Sequence, residues 1–523
     1  MRPLCHRVGS DYPVSMLTVH IRVTDTASGR PTPVRLRITG PDGAFYVPFG
    51  RSIDFPTGRG ESVGGHLLLG AERWVYADGS CEMQLPTGVP LRVQAWKGPE
   101  YQPVDQTVTL GPGQMAIRLA VKRRSDIRAD GWYPGDTRCH FLPPHAALLE
   151  AAAEDLDVVN VLATPLTQLT QDGKICTTVP DLLGYSGQSP ALSADDSLSG
   201  AEGERARGGR LVAVNTLNTH PVLGRVGLLH THRPVFPLTF GPPDETDDWS
   251  VCDWCDQCHR KGGLAVWVDA FRTETLPGEA LVALILGKID AIELDSHPRR
   301  HSLLPVWYRL LDAGLQVPLV GGSGKDSNRI ALGAVRTYAR LMSGESLTYK
   351  NWIEAVRAGR TFATNGPLLS FAVEGARPGE TIDLPGTRSI RVRATVNGTT
   401  LTGRLEVVMG SKILSTAEES GGFSLEIECS PTESAWVAAR YTGSPPPPAT
   451  DLSFAHTSPV YIRIGGQSLS ARPEAVAALQ RSVEEVAEWV NTLGRFHEPK
   501  KQAHLLELCR QAGAKLGGGG VRG

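Results

Sequence analysis

The chain changes rhythm three times. Near its start apolar and polar residues alternate: Val19, Ile21 and Val23 share one face of "LTVHIRVTD", and Val34, Leu36 and Ile38 share one face of "PVRLRITG". Successive side chains of an extended strand point to opposite faces, so a period of two marks half-buried strands. The turns "GPDG", "LPTGVP" and "LGPGQ" punctuate the series, which "LRVQAW" and "MAIRLAVKR" continue. Residues 17–122 are predicted to form an antiparallel β-sandwich behind a tail of residues 1–16. From about residue 124 continuous apolar runs replace the alternation: 157–163, 210–217, 225–231, 264–268, 291–294 and 318–323. Helical stretches lie between several of them, at 145–155, 248–261, 277–286 and 303–313. Buried parallel strands with crossover helices read this way, so 123–366 is predicted to be an α/β barrel or layered sheet. Its Ser- and Gly-rich stretch 185–210 reads as a mobile loop. The period of two returns over 367–465, predicting a second β-sandwich. In the helical segment 466–516, Val476, Leu479, Val483, Val486, Val490 and Leu493 form one apolar stripe. That stripe is expected to pack back on its own chain rather than on a second copy. Residues 517–523 read as a flexible tail.

The totals fit this organisation. A chain of 523 residues exceeds one hydrophobic core, and 41% apolar with 21% charged residues is the balance of a soluble globular protein. Fifty-three Lys and Arg against 55 Asp and Glu give a net charge of −2, so neither nucleic acid nor an anionic membrane is an expected partner. There is no apolar run of about 18 residues to span a membrane. The first residues lack the apolar core of a signal peptide, which makes a cytoplasmic location the expectation. Nine cysteines, scattered apart from one cluster, read as free thiols in a reducing compartment.

Chemistry in such a barrel gathers where strands end. The strand ends carry Asp136, His140 and His145; Asn218 and His220; His230 and His232; Asp269; Glu293, Asp295 and His297; Ser323 and Asp326. A hydrolytic metal site needs several neutral imidazoles or carboxylates about 2 Å from one ion. This set is thin in histidine. "CDQCH" (255–259) fits the covalent haem c pattern, but the stretch reads as a plain amphipathic helix, and haem is not expected. "GGSGKDS" lacks the first glycine of a phosphate loop, and Ser323 lacks the G-x-S-x-G elbow of a nucleophile.

The segments "GWYPGDTRCHF", "ALLEAAAEDLDVVNVLA", "VLGRVGLL", "CDQCHRKGGLAVWVD", "LGKIDAIEL", "LVGGSGKDSNRIALGAVRTYARL" and "GRTFATNGPLL" resemble the CehA/McbA family of metallohydrolases, a branch of the PHP superfamily. The resemblance covers nearly the whole chain. It implies a PHP-type distorted (β/α)7 barrel flanked by two β-sandwiches, with a C-terminal helical segment. It also implies a metal-bound water that attacks a carbonyl or phosphoryl centre. The ligand positions depart from the family pattern. Arg138 stands where the family has the first histidine of Asp-Thr-His-x-His, and only His140 remains. Arg225 replaces the histidine after Leu-Gly, Val268 and Asp269 replace Pro-His, and Gly324 replaces an aspartate. Leu217 and Pro221 stand at the Glu and His positions upstream of "VLG".

An arginine is always protonated and offers no lone pair, so two of them repel a cation from a former metal cavity. A buried guanidinium costs several kcal/mol unless paired, which makes Asp269 and Glu293 the expected partners of Arg138 and Arg225. The leading expectation is thus a structural salt-bridge cluster in a metallohydrolase relative that has lost metal-dependent hydrolysis. Two alternatives stay open at this site: an anion or small molecule bound by Arg138 and Arg225, and one divalent ion (Zn, Mn or Fe) on His140, His145 and Asp269. The last would make an active hydrolase of ester, amide or phosphoester bonds. A third reading, from another class, is a scaffold whose β-sandwiches bind a protein or glycan partner.

Overall fold

The computed structural model describes residues 15–518, apart from 51–53, 58–59, 165, 170–174, 179–208, 243–245, 271–277, 296–299, 399–401 and 445–451. The loop reading at 185–210 therefore falls, up to residue 208, outside the described residues, as does His297.

The molecule is mixed α/β with several sheets. In the first part, strands Met16–Asp25, Ser80–Pro86 and Ala116–Val121 form one sheet, and Val34–Thr39 lies inside a second. Their apolar faces meet in one core: Val19, Ile21 and Val23 on one side pack with Val34, Leu36, Ile38 and Val93 on the other. The period of two in the sequence is the imprint of that two-sheet core.

A long sheet follows. Its strands are β1 (Trp132–Cys139), β2 (Val158–Ala163), β3 (Leu211–His220), β4 (Gly224–Leu229), β5 (Leu264–Trp267), β6 (Ala291–Asp295) and β7 (Leu319–Gly322), hydrogen-bonded in that order. Between or after them come α1 (Pro144–Ala153), α2 (Val251–Arg260), α3 (Gly278–Ile285) and α4 (Arg300–Asp312). Pairs β1–β2, β2–β3, β5–β6 and β6–β7 are parallel. The expectation of parallel strands throughout fails at β4, which runs antiparallel to both neighbours. Only Pro221, Val222 and Leu223 separate β3 from β4, far too few for a crossover, so the chain must turn back as a hairpin. His220 ties that turn: its Nδ1 accepts the N–H groups of Val222 and Leu223 at 3.1 and 2.7 Å.

Among the described residues the strand path ends at β7 without a continuous ladder back to β1. The segment after β7 nevertheless lies along the end of β1, where Gly324 N–H donates to Arg138 O (2.9 Å) and His140 N–H to Lys325 O (2.7 Å). On the other side of β1, β8 (Arg336–Arg340) and β9 (Thr361–Thr364) carry the same sheet into strand Ser453–Thr457 of the C-terminal part. A boundary at 366/367 thus lies beside a sheet shared by the two parts. A separate three-stranded sheet (Leu368–Val373, Ile390–Asn397, Phe423–Cys429) packs on that extension around Leu369, Val392, Val407 and Tyr441.

Helix α5 (Tyr349–Arg357) has no counterpart in the sequence reading. Two longer helices end the fold, α6 (Pro473–Thr492) and α7 (Pro499–Gly517). Leu479, Val483, Val486 and Val490 of α6 join Leu505, Leu508 and Ala512 of α7 in a core shared with α2, α3 and α4. Self-packing explains the stripe, except that Leu493, one residue past the helix, is 67% exposed. No described helix is long and apolar enough to cross a membrane. Leu479→Ala is expected to lower the unfolding free energy by about 2–5 kcal/mol, read as a drop in the urea midpoint.

Candidate functional site

The C-terminal ends of β1, β5 and β6 and the beginning of β4 meet at one end of the long sheet. Because β4 runs antiparallel, its first residues share this end, while His230 and His232, just past it, lie at the other. The reversal thus brings Arg225 to the site in place of two histidines. There the Nδ1 atoms of His230 and His232 face the carbonyls of Gly262 and Lys261 (3.2 and 3.0 Å).

Arg138 is the centre of the arrangement. Its side chain, 7% exposed, donates from Nε to Glu293 Oε1 at 2.6 Å and from NH2 to Asp269 Oδ1 at 3.3 Å. The second oxygen of Asp269 takes NH1 of Arg225, whose side chain is 38% exposed. Glu293, wholly buried, receives the Thr137 hydroxyl on Oε2 at 2.5 Å. Asp269 holds a positive φ of 50°, a conformation that aspartate tolerates better than most residues. So Arg138, Arg225, Asp269 and Glu293 come together.

Gly322, which ends β7, and Gly324, just beyond it, make room for this cluster. A Cβ on Gly324 would lie 3.3 Å from Arg138 NH2 and 3.5 Å from its Cζ. A Cβ on Gly322 would lie 2.5 Å from Glu293 Oε2 and 2.6 Å from Thr137 Oγ1. The guanidinium therefore rests against the space that a side chain at position 324 would occupy.

The other histidine and aspartate candidates divide. His140, on the residue after β1, is buried, and its Nδ1 faces Leu162 O at 2.9 Å. Desolvation, reinforced by the positive charges of Arg138 and Arg225, lowers its pKa to about 4, so the ring is neutral at physiological pH. His145 does not join it. It is exposed on the first turn of α1, with its ring edge-on to Phe55. Asp136 is buried and pinned by backbone N–H groups: Arg138 and Ser323 on Oδ1 (3.0 and 2.9 Å) and Gly333 on Oδ2 (2.8 Å). It staples β1 to the segments after β7 and is spent as a ligand, although burial pushes its carboxyl pKa up. His220, besides closing its hairpin, puts Nε2 on Asp247 Oδ1 at 2.8 Å, far in role from any metal.

These donors do not fit a divalent cation. Both oxygens of Asp269 and one of Glu293 already face guanidinium N–H groups, and a permanent cation sits between the two carboxylates. Among the described residues no three His, Cys, Asp or Glu side chains are grouped to hold a metal. Haem attachment fares no better: Cys255 and Cys258 point from α2 into the core, fully buried, and burial drives both thiol pKa values up.

Sequence reading missed the support behind the site. Lys325 is wholly buried, with Nζ bonded to the carbonyls of Ser327 and Ile330 (3.2 and 2.9 Å) and 3.5 Å from Glu150 Oε2. Burial lifts the Glu150 carboxyl to a pKa of about 7. Nothing around Lys325 in "GGSGKDSNR" signals burial, since its neighbours are glycines and polar residues; the failed phosphate-loop match alone had drawn attention to it.

Glu293→Gln is expected to cost on the order of 3–5 kcal/mol, because it leaves the buried guanidinium short of a counter-charge; urea denaturation reads it. His140 titrates below its ordinary 6.5, so its neutral form contributes stability that is present above pH 6.5 and lost as pH falls toward 4. Glu150, raised from 4.5 to about 7, pulls the opposite way across much of that window. The check is therefore a difference: His140→Asn should lose stability relative to the parent at pH 7 and regain ground on it as pH falls to 4.

No family model and no curated protein matches the chain, so what this site does has to be read from its residues.

Proposed function

We propose that the chain is a metal-independent relative of the CehA/McbA metallohydrolases, built on a PHP-type barrel that no longer performs metal-dependent hydrolysis. The observation that carries this reading is the Arg138 guanidinium lodged between Glu293 and Asp269, with Arg225 on the far oxygen of Asp269. The resemblance puts a metal-ligating histidine at position 138. A guanidinium there supplies a positive charge without a Lewis acid or an activated water. The order β1 to β7, with the 324–325 segment hydrogen-bonded along the end of β1, supports the barrel part of the reading.

Between a structural cluster and an anion pocket, the geometry favours the cluster. Two carboxylates, Asp269 and Glu293, already oppose the two guanidiniums, which removes most of the attraction a phosphate or carboxylate would feel. Elemental analysis of protein purified without chelator tests the reading. Zinc, manganese and iron are expected below stoichiometric, the melting temperature is expected to be indifferent to chelator, and ester, anilide and phosphodiester substrates are expected to stay intact. A stoichiometric ion that His140→Ala removes would refute it.

A further inference from the structure

We infer that the groups around the Arg138 head form a receptor for a guanidinium-type cation, which the chain fills with its own side chain. The inference deepens the metal-independent reading above and rests on it. Three features on different segments shape the receptor. Glu293, from β6, faces Nε at 2.6 Å, and its orientation is held by the Thr137 hydroxyl at 2.5 Å. Asp269, from the turn after β5, faces NH2 at 3.3 Å. Gly324, from the segment after β7, lies against the guanidinium, where an added Cβ would be 3.3–3.8 Å from NH2, Cζ and NH1.

Two carboxylates facing two different nitrogens of a planar group, with a glycine against it, suit delocalised N–H donors better than a point charge. A guanidinium presents its donors in a rigid planar fork, whereas an ammonium or a metal ion does not. The carboxylates are held by their own strands and not by Arg138 alone. Asp269 also receives Arg225, and Glu293 also receives Thr137. Removing the Arg138 side chain should therefore leave a formed, negatively charged seat and not a collapsed one.

The test is chemical rescue. Arg138→Ala is titrated with methylguanidinium, with urea as the neutral planar control, and melting temperature and calorimetric heat are recorded. The variant is expected to melt below the parent and to recover saturably with methylguanidinium but not with urea. Its apparent Kd should be tighter than that of the parent by about tenfold or more, equivalent to about 1.4 kcal/mol. An equal response of variant and parent, or rescue by urea, overturns the inference. So does a variant that takes up zinc or manganese while ignoring methylguanidinium. If the variant is recovered only as aggregate, refolding yield with and without methylguanidinium decides: a higher yield supports the receptor, an equal yield refutes it. The triple variant Arg138→Ala, Asp269→Asn, Glu293→Gln removes both negative charges and should lose the methylguanidinium response. Metal found in the parent would refute the metal-independent reading and the receptor with it, whereas failed rescue of Arg138→Ala beside a metal-free parent would refute only the receptor.

Discussion

A guanidinium stripped of water governs this end of the fold. Removing such an ion from solvent costs several kcal/mol even after the protein relaxes, and the loss is recovered only by charges placed at hydrogen-bonding distance. Arg138 lies on β1, whereas its partners come from β6 and from the turn after β5, and Arg225 comes from the start of β4. Meeting the needs of one side chain therefore constrains the relative placement of four strands. Gly322 at the end of β7, Gly324 just beyond it and the left-handed Asp269 are parts of the same solution: the glycines leave the room that Glu293, Thr137 and the guanidinium occupy, and Asp269 sets its carboxylate against both arginines.

A second buried charge network works between the parts of the molecule. Glu100, from the first β-rich part, is fully buried and receives Arg123 at 2.6 Å and Arg128 at 3.0 Å. The same two arginines reach Asp155, after α1, and Arg128 also reaches Asp157. Arg124 adds two carbonyl contacts, to Pro99 on one side and to Gly398 of the C-terminal sheets on the other. One short run of arginines thus joins three regions. These charges lock geometry, since replacing buried ion pairs by apolar packing is often neutral for stability, while deleting one partner is not. The C-terminal helices are held differently, by apolar packing of α6 and α7 on α2, α3 and α4.

Legibility followed the range of the interaction concerned. The alternation of Val19, Ile21 and Val23 and the stripe of Leu479, Val483 and Val486 reflect local periodicity against a nearby core, so strands and helix could be read directly. Helix α5 escaped because its buried Trp352, Ile353 and Val356 sit in a helix of only 9 residues, too short for an apolar stripe to repeat. The direction of β4 escaped as well: an apolar run looks the same in either direction, and only the three-residue turn before it announces the hairpin.

At the site, the family resemblance singled out positions 138, 225 and 269, and residue chemistry then determined that Arg138 and Arg225 could not be ligands and that Asp269 and Glu293 were fitting partners. That followed from charge and protonation, which travel with the residue wherever it sits. Which carboxylate meets which guanidinium, that His145 faces solvent while His140 is buried, and that Asp136 is consumed by backbone N–H groups were decided by tertiary structure. Those outcomes depend on where strands distant in sequence end and which way they run, and sub-ångström differences in placement separate a ligand from a bystander. The residues specified the charges; the fold specified their neighbours.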